Sequence, residues 1–72
     1  MLEELLDRYS SRQRLRDYLA GFIYALNLER RAGRQPSCEE QRVIAFYMAM
    51  CVAPTAPIYK LVRLADQLAG IY

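Results

Sequence analysis

The sequence predicts an all-α fold, with one long N-terminal helix and two shorter helices packed as a small bundle and assembled as a homodimer. Three observations carry this expectation. Apolar side chains recur at the three- and four-residue intervals of helices rather than in the alternation of strands. Two eleven-residue stretches, YLAGFIYALNL from Tyr18 to Leu28 and VIAFYMAMCVA from Val43 to Ala53, contain a single strongly polar residue, Asn27. The chain has only 72 residues, one domain near the size at which a lone core barely supports itself. A helix that is apolar all round is covered on several sides, and so small a fold has little of its own with which to cover two.

A core of this size contributes no more than about 3–5 kcal/mol and is commonly supplemented by disulfides, metal, oligomerisation or dense helix packing. Two cysteines, Cys38 and Cys51, and no histidine provide neither a disulfide framework nor a Cys/His zinc site within one chain. Oligomerisation or dense packing is left.

The first helix is expected from Leu2 to Ala32. Its end is marked by Glu29-Arg30-Arg31-Ala32 followed by Gly33, cations that complement a helix C-terminus and a glycine able to take positive φ just beyond it. Inside this span Leu2, Leu5, Leu6 and Tyr9 form one apolar stripe. Leu15, Tyr18, Leu19, Phe22 and Leu26 form another, rotated by about a third of a turn. Either the helix breaks at Ser10-Ser11, where serine can cap a new start, or it continues and presents Leu2 to Tyr9 to a neighbour outside the bundle. The continuous helix, with its N-terminal portion used at an interface, is the preferred reading.

The second helix is expected over residues 38–52. Ser37 can cap it, and Glu40, three residues on, can reach back to the Ser37 amide, the reciprocal arrangement of a capping box. Pro54 stops it. Beyond Arg42 the helix has no polar face: Ala45, Ala49 and Ala53 recur along one side, with Val43, Tyr47, Met50 and Cys51 opposite and Phe46 and Met48 on the flanks. Two neighbours can pack on such a helix, so it is expected at the centre. The third helix, residues 56–69, is read as capped by Thr55, tolerant of Pro57 in its first turn, and closed by Gly70. It is the clearest amphipath, with Ile58, Leu61, Val62, Ala65, Leu68 and Ala69 in one stripe opposite Tyr59, Lys60, Arg63, Asp66 and Gln67.

Function is read mainly from what the composition excludes. The absence of histidine removes the commonest general base, and no nucleophile, base and orienting group stand at recognisable spacing. No enzymatic activity, cofactor or metal is expected. Adjacent Glu39 and Glu40 are accounted for as cap and dipole partners in a first helical turn. Cys38 leaves a minor redox reading open, and Cys51 reads as an inert small hydrophobe. The longest apolar run is eleven residues, short of the roughly 20 that span a bilayer, and Leu2 to Arg16 lacks the layout of a signal peptide. A cytoplasmic protein without membrane association is expected.

The reading that remains is a small protein-binding regulator, an inhibitor, anti-activator or adaptor of the size that phages and mobile elements often encode. It would act by docking an apolar, tyrosine-bearing helix surface on another protein. Six tyrosines and no tryptophan suit a surface that buries a rigid ring yet keeps a hydroxyl in reach of water. Candidate contact or dimer residues are Ile23, Tyr24 and Leu28 from the first apolar stretch and Phe46, Tyr47, Met48 and Met50 from the second. Arg12, Arg16, Arg30, Arg31 and Arg34 are candidate rim contacts that steer an acidic partner. A net charge of +2 is too mild to single out nucleic acid, but a dimeric DNA-associated regulator using these arginines on phosphates is the first alternative. A structural subunit or secretion-type chaperone is the second.

Overall fold

The computed structural model describes residues 1–70. Among them the chain forms four α-helices and no strand: α1 (Leu2–Arg8), α2 (Arg12–Arg31), α3 (Cys38–Val52) and α4 (Ile58–Leu68). The all-α expectation therefore holds, and the single long N-terminal helix does not. The chain leaves helical geometry at Tyr9, which is extended, and restarts after Ser11, whose side chain accepts a hydrogen bond from the Arg14 amide at 3.4 Å.

The reason lies in the two stripes. On one straight helix they would face different neighbours, whereas the break turns α1 back so that Leu2 and Leu5 enter the same core as Leu15 and Leu19. Leu2 is only 2 % exposed. The expectation that Leu2 to Tyr9 serves an interface outside the bundle is corrected by this burial. Tyr9 packs beside Tyr18 with ring centroids 5.3 Å apart, and Tyr18 stacks in turn on Phe22, so the two stripes meet across the break.

The remaining local signals are read off directly in the hydrogen bonds. After α2, Gly33 has φ +99°; its amide donates to the Arg30 carbonyl and the Arg34 amide to the Glu29 carbonyl, both at 3.0 Å. That pair of bonds is a Schellman closure, and it needs the left-handed conformation that glycine adopts without penalty. At the start of α3 the capping box is complete: Glu40 N–H donates to Ser37 Oγ and Ser37 N–H to Glu40 Oε1. The start of α4 differs from expectation. Its N-cap is Pro57, with no side-chain cap bond, and Thr55 lies in the preceding turn. A residue before proline is driven out of the α region, so Ala56 cannot open a helix and the first turn moves past Pro57.

α3 touches each of the other three helices and pairs most extensively with α4. It contributes Val43, Ala45, Phe46, Ala49 and Met50 to the core, against Leu61 and Ala65 of α4. Buried alanines at 45 and 49 keep that side of α3 small, and close helix packing of this kind is one of the supplements a fold of this length needs. Arg42 ties three helices together, donating from Nε to Asp66 Oδ1 of α4 at 2.7 Å and from Nη1 to Glu3 of α1. Arg12 at the start of α2 donates to the Pro54 carbonyl after α3 at 2.7 Å.

Candidate functional site

The positions on which a docking surface was expected fall into three groups. Phe46 and Met50 are buried in the chain's own core; they are corrected out of the surface because the arc of α3 from Ala45 to Val43 through Phe46 is what α3 turns towards its neighbours. Tyr47 and Ile23 are half-buried, Tyr47 packing against the core. Tyr24, Leu28 and Met48 stand out in solvent, 67 %, 48 % and 51 % exposed.

Tyr24 and Leu28 are four residues apart on α2 and so lie on one face, turned away from the buried stripe of Leu15, Leu19 and Leu26. Gly21 is one turn before Tyr24 on that face, and a Cβ placed there would meet nothing within 4 Å. Met48 is joined on α3 by Val52, which is 77 % exposed and was not singled out from sequence. The signal was present: Val52 is four residues beyond Met48, outside the arc of Ala45, Ala49 and Phe46. Cys51, read as an inert small hydrophobe, is exposed, as is Cys38.

The arginines divide by what they already hold. Arg34 is bound, its Nη2 lying 2.6 Å from Glu29 Oε2 and 2.7 Å from Glu40 Oε2. These contacts raise the Arg34 pKa above its ordinary value, Glu40 contributing first and Glu29 next. They hold the Glu40 carboxyl below its usual range, with the Ser37 amide adding to the effect. Arg42 behaves alike, raised first by Glu3 and then by Asp66, while its bond lowers the Glu3 pKa. Arg12 is spent on the Pro54 carbonyl. Arg16, Arg30 and Arg31 are exposed and have no carboxylate partner among the described residues. Arg16 and Arg30 stand about 21 Å apart along α2 by helical rise, so the rim arginines do not form one cluster.

Shallow clefts open on the surface of the described residues. One, of about 410 Å³, lies where the end of α2, the first half of α3 and the end of α4 meet, with Arg30, Gln41, Ile44, Met48 and Leu68 among its walls. A second runs beside Leu6, Tyr9 and Ile58, and a third beside Arg12, Arg16 and Pro54. Among the described residues no group of three or more metal-ligating side chains converges, and no helix is long and apolar enough to cross a membrane. Comparison with known proteins finds no matching family model, no matching curated protein and no matching solved structure.

Proposed function

We propose that this chain is a non-enzymatic binding protein that docks exposed apolar helix surface on a partner protein, as an inhibitor, anti-activator or adaptor. One observation carries the reading. With the core already closed by residues from all four helices, Tyr24, Leu28, Met48 and Val52 are still 48 % exposed or more. Single exposed apolar residues are ordinary on monomers, but paired ones at i and i+4 on each of two helices are the anchors used in helix-mediated recognition. Tyrosine and methionine supply a rigid amphipathic ring and an adaptable thioether, both enriched at interface centres. Homodimerisation through the Tyr24 and Leu28 face belongs to the same reading.

Two measurements test it. Sedimentation of the wild-type chain and of Tyr24→Ser/Leu28→Ser should show association in the first and a monomer in the second; a monomer in both, at high concentration, removes the dimer. In affinity capture from the native cell, a partner held by wild type should be lost from the same double variant, with circular dichroism confirming that the variant is folded. A partner set unchanged by substitution of all four exposed residues would refute the reading.

A further inference from the structure

We infer that the cleft between α2, α3 and α4 is a docking groove for an acidic amphipathic helix, which sets two apolar side chains into the groove and a carboxylate against Arg30. This rests on the protein-binding reading above and names the class of partner.

The groove has the chemistry of such a site. Apolar side chains of Ile44, Ala45 and Met48 of α3 and of Leu68 and Ala69 of α4 line it together with the polar Arg30, Gln35 and Gln41, and Met48 and Leu68 are each about half exposed. Gln41 and Met48 mark its extent along α3, about 10 Å at helical rise. That length matches two guest side chains spaced three or four residues apart, the anchor pattern of helix-in-groove binding. The cleft is open along its mouth, so it cannot enclose most of a small molecule's surface as ligand pockets do. A guest that brings its own backbone scaffold can cover it.

Charge selects the guest. The carboxylates on the surrounding turns are already engaged, Glu29 and Glu40 by Arg34 and Asp66 by Arg42. Arg30 stands on the groove wall with no carboxylate partner among the described residues. Its place in the last turn of α2 explains a cation there, but not its position beside five apolar side chains. An apolar guest with a carboxylate at one end meets both needs, and a basic guest is repelled, so the arginine acts on specificity as well as attraction.

The test is selection of displayed helical peptides against the full-length chain and against Arg30→Glu, with backbone amide NMR mapping the best peptide. Wild type should enrich two apolar residues at i, i+3 or i, i+4 flanked by Asp or Glu, with shifts centred on Ile44, Met48 and Leu68. Arg30→Glu should bind that peptide about tenfold more weakly and enrich Lys or Arg instead. Enrichment without charge preference, mapping to Tyr24 and Leu28 alone, tighter binding of decanoate than of any peptide, or self-association through the groove would each overturn the inference. If the peptide result fails while the native partner is still lost from Tyr24→Ser/Leu28→Ser, this inference falls and the protein-binding reading stands. If no partner responds to any of these substitutions, the reading itself falls.

Discussion

Arg34 Nη2 lies 2.7 Å from Glu40 Oε2, and the other oxygen of the same carboxylate accepts the Ser37 amide at 2.8 Å. One side chain thus closes the cap of α3 and, through Arg34 and Glu29, fastens the end of α2 to the start of α3. The α2–α3 turn is fixed from both sides, by the Schellman closure before it and the capping box after it.

The cap should be measurable on its own. Ser37→Ala removes the acceptor for the Glu40 amide and should cost about 1 kcal/mol in urea unfolding. Glu40→Gln keeps an acceptor for Ser37 N–H but loses the ion pair with Arg34, so it should destabilise less than Glu40→Ala, which loses both. Equal stability of all three variants with wild type would show that the turn is held elsewhere.

Acid should weaken the fold in a defined window. Glu3 and Glu40 have pKa values lowered from 4.5 by Arg42 and Arg34 respectively. A lowered folded-state pKa means that the unfolded chain binds protons first on acidification. The stabilisation is therefore complete above the unfolded value and is lost as pH falls through the lowered folded values. The melting temperature should be nearly level between about pH 7 and pH 5 and decline below about pH 4.5, with a shallower decline in Glu3→Gln/Glu40→Gln. A melting temperature that rises on acidification would contradict both contacts.

Burial of α1 distinguishes the broken helix from an outlying arm. Leu2→Ala and Leu5→Ala should each cost about 2–5 kcal/mol, a large share of what so small a core supplies. Loss of stability within about 0.5 kcal/mol, the usual range for surface positions, would place α1 outside the core.

Met48 and Met50 are two residues apart and should respond oppositely to the same change. Met50→Glu buries an unpaired carboxylate and should unfold the chain. Met48→Glu leaves the charge in water and should alter stability by no more than about 0.5 kcal/mol. Thermal melts of the two variants decide whether the exposed arc of α3 is assigned correctly.

Much of this is legible in the sequence alone. Ser37, Glu40, Gly33 and Gly70 act through the backbone within a few residues of themselves, and each does what its local chemistry dictates. Thr55 failed as a cap because Pro57 restricts Ala56, a rule also visible in the sequence but outweighed there by the cap residue itself. The docking residues were harder to assign. Tyr24, Leu28 and Met48 are exposed as expected, but Phe46 and Met50 are not, because a helix apolar all round gives no internal sign of which arc its neighbours will take.

The sequence by itself determined the all-α class, the C-terminal end of α2, both ends of α3, and the central place of Val43 to Ala53, since these follow from caps, glycines and side-chain period acting locally. Only the tertiary structure decided that the chain breaks between Tyr9 and Ser11, that Leu2 and Leu5 join the shared core, and that Arg34 and Arg42 are spent on carboxylates while Arg30, beside a groove, has no carboxylate partner among the described residues. Those outcomes depend on contacts between residues distant along the chain, such as Glu3 with Arg42 and Arg12 with Pro54. The helical period fixes how apolar residues are spaced on each helix; the competition among helices for one small core fixes which of them it buries.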